Sequence, residues 1–514
     1  MQNDRTPVLV GCGQIIDRSE DGHGPPPVKL MAAAARAAVE DAGSNRLLNS
    51  IDQLAAVGLT VDAAQVSTPL SGAYKNVPKS VANLLGIDPE NLYYSETGGN
   101  TPQMLVNHFA KEIAHGRADS VLLTGGEALR TMTRRFNHWT ALLKPRGEWR
   151  DRPGGRPIPL GDTRPGATRL ESAYQLDLPS NTYPLFENAL CAHYQRTPAE
   201  HLQSIGEMFH KFTRVAARNP YAWFPRERSA EELITPTINN RMVAYPYTKL
   251  LNSIITVNQA ASVVMTSVAN ARSLGISRDK WVYLRGCSDA HDIWNITERI
   301  NYHSSPALRC AGREALAMAG KSINDMDFLD IYSCFPSAVQ IACDELGIAH
   351  DDPRGLTLTG GMPYFGGPGN NYSMHAIAEM MTRLREHPGK FGLLNANGWF
   401  LTKHSLGIYS TAQPDAEWSS NPPEQYQAEI LQDRGPPFVE TPEGKARVET
   451  FTVLFNRHNL AQTGIVIGRL LSGQRFIART MNGPEVLDDL MQNDAVGRMG
   501  TVTSGKRKNI FVPE

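Results

Sequence analysis

The chain has 514 residues, enough for about two to four domains, and its 41% hydrophobic and 20% charged content excludes extended disorder and fibrous repeats. Lys and Arg number 51 against 52 Asp and Glu, a formal charge of −1, so there is no basic excess of the kind that coats nucleic acid or an anionic membrane. Six cysteines without a CxxC pair are too few for a disulfide scaffold, and the 14 histidines form no zinc motif.

In chain order, Pro7–Gly13 (PVLVGCG) reads as a buried strand entering a tight turn, after an N-terminal apolar stretch too short for a signal peptide or membrane span. A cytoplasmic protein is the expectation. Met31–Gly43 is an Ala-rich helix with a glycine stop, SIDQLAAVGLT from Ser50 is a short strand, and GGNTPQML from Gly98 opens a helix that leads to the strand SVLLTGG from Ser120. The same order returns later. Trp281–Ser288 (WVYLRGCS) repeats the first strand, with Gly11-Cys12 and Gly286-Cys287 spaced 275 residues apart, as are Asp52 and Asp327. Arg309–Gly320 repeats the Ala-rich helix, DMDFLDIYSCF from Asp325 the short strand, and PGNNYSMH from Pro368 the helix opening before FGLLNANG from Phe391. Strand and helix alternate in both halves, which calls for parallel strands with right-handed crossovers. We read a duplication, in preference to two unrelated Rossmann-like domains, with the helices after Gly99 and Gly369 lying centrally between two sheets.

An insertion at 130–243 is rich in Arg, Pro and Trp. It holds one evident helix, opened by the Thr197-Pro198-Ala199-Glu200 capping box, carried by Leu202, Ile205, Phe209, Phe212 and Ala216, and ended at Asn219-Pro220. Residues 412–445 are Pro-, Gln- and Asp-rich and read as a linker. The tail, 446–514, alternates in short strands with a hairpin signal at Ser472-Gly473 and a short helix over Pro484–Gln492, a pattern that fits a small OB-type barrel.

This ordered set resembles the thiolase superfamily over roughly residues 5–412, and with its added β domain it looks like the thiolase-like proteins of type 1. The resemblance implies an α/β thiolase fold, a duplicated five-layered α-β-α-β-α core. The first half would be 1–129 with 244–279, the loop domain 130–243 and the second half 280–411, followed by the linker and the OB-like domain. It also implies CoA or acyl-CoA as substrate or ligand, acetyl-CoA acetyltransferase chemistry in lipid metabolism, no resident cofactor, and a monomer or homodimer. In thiolases a cysteine at a central helix N-terminus takes the acyl group, a second cysteine or a histidine moves protons, and N–H, Asn or His groups hold the oxyanion.

Carried over position by position, the family's motifs are altered here. The nucleophile's place falls on Gly98 or Gly99. The Asn-Glu-Ala-Phe or His-Asp-Cys-Phe segment falls on Tyr332-Ser333-Cys334-Phe335, so Tyr332 replaces its first residue. Gly367 stands for the histidine of Gly-His-Pro, and Ala396-Asn397-Gly398 for Cys-x-Gly. With no thiol at Gly99, Claisen or thiolytic turnover is not expected. The remaining catalytic candidates are Cys334, Tyr332 and His404, the last placed by the resemblance on a turn that reaches the site. Gly98, Gly99, Asn258, Gly367, Asn397 and Gly398 are candidate ligand contacts, while Asn100, Asn370 and Asn371 are expected helix caps. The basic loop of Arg134, Arg135, Lys144, Arg146, Arg150 and Arg152, with Trp139 or Trp149 for the adenine, suits CoA phosphates. Gly11-Cys12-Gly13 lacks the third glycine of a dinucleotide fingerprint, so NAD is set aside, and Lys506, Arg507 and Lys508 alone do not make a nucleic-acid site. The alternative reading is a non-catalytic scaffold acting through the OB-like domain.

Overall fold

The computed structural model describes residues 4–19, 22–62, 74–135, 147–414, 416–432, 434–481, 483–493 and 495–514. The duplication extends to strand register. In the first half the strands Gln53–Ala56, Ser120–Ala128, Asn258–Ser267 and Pro7–Ile16 pair in that order, the first pair parallel and the others antiparallel. In the second half Phe328–Ile331, Phe391–Gly398, Lys403–Ser410 and Val282–His291 do the same. Each first strand carries a register shift at the same place, between Leu9 and Gly11 and opposite Leu284 and Gly286. The two sheets meet where Val8 pairs with Tyr283 and Leu9 with Val282, as a pseudo-twofold axis between the repeats requires.

The repeated glycine has a packing cause. A Cβ on Gly11 would lie 2.0 Å from the Ala38 carbonyl oxygen, and one on Gly286 would lie 2.1 Å from that of Ala315. The Ala-rich helices Pro27–Ala42 and Pro306–Ala319 therefore press directly onto the strand backbone, and each ends on a left-handed glycine, Gly43 or Gly320. They cover the outer faces of the sheets. Between the sheets lie Thr101–Ala114 and Tyr372–Glu386, whose Val106, Phe109, Ile113, Ile377, Met380 and Met381 are buried in one shared cluster. The five-layered order stands.

In the insertion the capping-box helix spans Pro198–Ala216, with the Thr197 and Glu200 bonds both formed. A second helix, Pro179–His193, runs unbroken through Pro184 and has no amphipathic signature, because Asn181 to Cys191 are all buried. Its Glu187, fully buried, accepts from Tyr247 Oη (2.5 Å) and Gln340 Nε2 (2.6 Å) and lies 2.6 Å from His201 Nε2, tying the insertion to the second half. Another insertion strand, Ile158–Leu160, pairs with Asn91–Ser95 and covers the outer edge of the first sheet.

The tail closes into a barrel. Gly444–Phe455, Ala461–Leu470, Arg475–Thr480, Ile510–Pro513 and Met499–Thr503 pair in a ring, with Arg475–Thr480 and Ile510–Pro513 parallel and the helix Pro484–Gln492 between Arg475–Thr480 and Met499–Thr503 in the chain, the OB arrangement. Val466, Phe476 and Ala478 fill its interior. Ile465, Ile467 and Ile477, on the outer face of the second and third strands, are buried in the main cluster of the body. Arg475 crosses that junction, bonded to Glu449 (2.8 Å) and to the Thr297 carbonyl (3.0 Å). The 412–445 segment is stitched down as well. Its helix Pro423–Ile430 donates from Tyr426 Oη to the Asp289 carbonyl (2.8 Å) and from Gln427 Nε2 to that of His291 (2.7 Å).

Candidate functional site

The two central helices begin side by side. Gly98 N–H donates to Asn370 Oδ1 (3.0 Å), and Ser373 Oγ to the Gly99 carbonyl (2.8 Å). The asparagines do not cap these helices as expected. The Asn100 amide donates to Ser405 Oγ (3.1 Å), Asn370 bridges Gly98 and Gly58, and both polar side-chain atoms of Asn371 are buried with no partner among the described residues. Asn100 and Asn370 thus bond to other parts of the chain instead of folding back on their own helix backbone.

A Cβ on Gly99 would sit 1.8 Å from Tyr332 Oη, 2.5 Å from its Cζ and 2.6 Å from the Asn397 carbonyl oxygen. The phenol thus fills the space a nucleophilic side chain would need. Tyr332 meets Tyr372 edge-on at 5.6 Å, and burial raises its phenol well above the ordinary value, with the nearby Cys334 and Tyr372 adding to the shift. A second tyrosine arrives from the insertion. Tyr183 donates to the Trp399 carbonyl (2.9 Å), accepts from Asn397 Nδ2 (3.0 Å) and stacks on Phe335 at 4.5 Å. Cys334 lies beside it. Burial pushes its thiol up to about 12, against the pull of a hydrogen bond with Tyr183, so it is a protonated thiol at neutral pH.

Gly98, Gly99, Tyr332, Cys334, Asn397 and Gly398 therefore come together. A Cβ on Gly367 would meet Ser253 Oγ at 2.4 Å, and Ser253 N–H bonds the Cys334 carbonyl (3.1 Å), which sets Gly367 beside the cluster in a space too tight for a histidine. Asn258 stands apart, its amide committed to Thr131 (N–H at 3.0 Å, Oγ1 at 2.8 Å) and Asp17 (3.1 Å). His404 is the second residue of the strand Lys403–Ser410, not part of a turn. It faces the outer helix, its Nε2 3.1 Å from Ser305 Oγ and 3.2 Å from the Leu401 carbonyl, and its Nδ1 has no partner among the described residues.

Strand alternation sends the neighbouring residue the other way. Lys403 points at the first central helix and donates to the Thr97 carbonyl at 2.5 Å. Its Nζ would be 2.8 Å from a Cβ on Gly98, and its Cε 3.1 Å from one on Gly398. Burial lowers the amine to about 8, although Asp162 and Glu96 favour its charged form. It borders a cavity of about 340 Å³ lined also by Glu96, Asn100, Met104, Asp289 and Trp294, with His404 in its wall and Pro423, Glu424 and Gln427 of the stitched-down helix closing one side. Burial raises Asp289 to about 6, while Ser405 and Asn107 bond its carboxylate. Sequence reasoning missed Lys403 because a lysine is exposed by default, and every residue of this strand is buried, so no polar alternation marks its direction.

Arg134 and Arg135 end the helix Leu129–Arg135 on the surface and line neither this cavity nor the groove of about 900 Å³ beside Pro198–Ala216. Arg150 and Arg152 are exposed, while Trp149 is buried against Leu30, Ala34 and Ala128 and so cannot offer its face to an adenine. Trp139, Lys144 and Arg146 lie outside the described residues.

Residues 425–507 match the family model for the thiolase-like protein type 1 additional C-terminal domain. The whole chain aligns with the whole of a crystal structure of a monomeric SCP2-thiolase like protein type 1 (STLP1) from Mycobacterium smegmatis, at 38% identity and a TM-score of 0.83. The chain belongs to the thiolase-like protein type 1 family. Two likenesses are more distant. An acetyl-CoA acetyltransferase from Methanothermobacter thermautotrophicus is 26% identical over 166 residues, 32% of this chain and 40% of that protein's length. The structure of an acetyl-CoA acetyltransferase from Syntrophomonas wolfei shares the fold at 15% identity and a TM-score of 0.54, over 80% of this chain and 100% of that one. In this type 1 chain the matched C-terminal segment begins within the helix that walls the Lys403 cavity. Among the described residues no helix is long and apolar enough to cross a membrane.

Proposed function

We propose that this protein binds CoA or an acyl-CoA in a thiolase fold whose acyl-transfer chemistry is disabled. The observation that carries the second half of this reading is the Tyr332 hydroxyl in the place of a side chain on Gly99. A ping-pong acyl transfer needs a thiolate at the helix N-terminus. Here that position has neither the atom nor the room, and the one thiol nearby, Cys334, is held protonated. The first half rests on family membership and on a cavity at the same helix terminus that combines a cation, Lys403, with apolar walls from Met104 and Trp294. Arg164 lies 3.7 Å above the Trp294 ring and pairs with the wall carboxylate of Asp162 (2.6 Å).

The alternative, a scaffold recruiting partners through the barrel, gains little from the geometry. OB domains take oligonucleotides on the face of strands two and three, and here that face is buried against the body. Calorimetric titration with CoA, acetyl-CoA and a medium-chain acyl-CoA, with 3′-dephospho-CoA as competitor, tests the reading. Saturable binding supports it. No heat at millimolar concentration of any of them removes it and leaves the scaffold in front.

A further inference from the structure

The Lys403 cavity has the features of a covalent amine site. Lys403 is 8% exposed, and among the described residues it makes one hydrogen bond, to the Thr97 carbonyl, and no ion pair within 4 Å. A lysine held only for structure is normally paired when buried, because an ammonium offers three donors and loses much of its hydration in the interior. Beyond that bond its Nζ meets the Trp399 ring, 5.8 Å from the centroid, and two of its donors find no hydrogen-bond acceptor among the described residues. The second observation is independent of the amine. Asn100, 6% exposed and on the same cavity wall, leaves its Oδ1 without a partner among the described residues, although its Nδ2 is bonded to Ser405. A buried carbonyl oxygen in that state marks a place where a donor is missing. The third is composition: carboxyl groups of Glu96, Asp162 and Asp289 share the cavity with the apolar Met104, Ala290 and Trp294.

We propose that Lys403 condenses with an aldehyde or ketone bound in this cavity, forming an imine. The Nζ lone pair attacks the carbonyl carbon, the carbonyl π electrons move to oxygen, and a proton passes from nitrogen to that oxygen through a wall carboxylate. A wall carboxyl group then protonates the carbinolamine hydroxyl, which leaves as water while the nitrogen lone pair forms the C=N bond, and the iminium N–H proton returns to that carboxylate to leave the neutral imine. No oxidant or further reactant is required. The lowered basicity of the amine supports the step, since an ordinary lysine is almost wholly protonated at neutral pH and cannot attack. This goes beyond CoA binding, and the two are measured separately.

The test is reductive trapping on the wild-type protein. Hexanal and cyanoborohydride are added at pH 7.5, and alkylation is followed by peptide mapping at Lys403 and at the exposed Lys211 and Lys390. The expected result is saturable alkylation of Lys403 at least about ten-fold faster than at the exposed lysines, within the ceiling of about 200-fold set by the free-amine fractions. Lys403 labelled no faster than Lys211, or not at all, overturns the inference. The Lys403→Arg variant, checked for fold by circular dichroism, is expected to lose the saturable fraction, and if that fraction persists the site is wrongly assigned. CoA binding without Lys403 trapping defeats this inference alone, and trapping without CoA binding defeats only the preceding one.

Discussion

One methyl group at Gly99 tests the plugged helix terminus. In Gly99→Ala the new Cβ would stand 1.8 Å from Tyr332 Oη and 2.6 Å from the Asn397 carbonyl oxygen, and the tyrosine has Tyr372 against its other side. Neither neighbour is the free end of a flexible chain, so the tyrosine or the helix must shift. Overpacking of this kind costs about 3 kcal/mol. Tyr332→Ala alone opens a cavity and costs about 3 to 5 kcal/mol. In that background Gly99→Ala removes little more, because the obstructing ring is gone and only the Asn397 contact remains. The coupling in the double-mutant cycle is therefore about 2 kcal/mol, with the double variant more stable than the sum of the singles. Guanidinium unfolding followed by tryptophan fluorescence reads all four proteins. A Gly99→Ala protein as stable as wild type, or costs that simply add, would refute the reasoning. Gly99→Cys is expected to share the stability loss and to gain no thiolytic activity.

Lys403→Met is expected to stabilise the protein at pH 7 and progressively less toward pH 10.5. The folded amine titrates near 8 against an ordinary 10.5, so between these values the unfolded chain binds more protons and wild-type stability rises with pH. The variant lacks this dependence, and its advantage, with a ceiling of about 3 kcal/mol, is read by unfolding curves across the pH range. Glu187→Ala strips a shared acceptor from His201, Tyr247 and Gln340 in the core and should cost about 3 kcal/mol, measured by the same unfolding. Sedimentation should find a monomer, because the edge strand Asn91–Ser95 is already paired with Ile158–Leu160, and a dimer would contradict that reason.

Repetition made the fold legible. Gly11-Cys12 and Gly286-Cys287 mark two helix-on-strand contacts that only glycine permits, so their spacing carried structural information independent of composition. The barrel was readable for a similar reason, since its strands alternate and its helix lies where Pro484 opens it. The helix Pro179–His193 was not, because burial on all sides erases the helical period. The altered catalytic positions could be read as absences at Gly99, Gly367 and Ala396. What filled them could not, since Tyr332 and Tyr183 come from other parts of the chain. His404 and Lys403 show the limit most clearly. Adjacent in sequence, they face opposite sides of a strand, and only the register of Lys403–Ser410 against Phe391–Gly398 decides which one meets the central helix.

Native mass spectrometry of the protein with acetyl-CoA, repeated after denaturation, tests the central claim in one experiment. The account predicts a saturable adduct with the mass of intact acetyl-CoA that vanishes on unfolding and leaves no acetyl group on the chain. An acetyl group retained on the denatured protein, or no adduct at any concentration of acetyl-CoA, would contradict it.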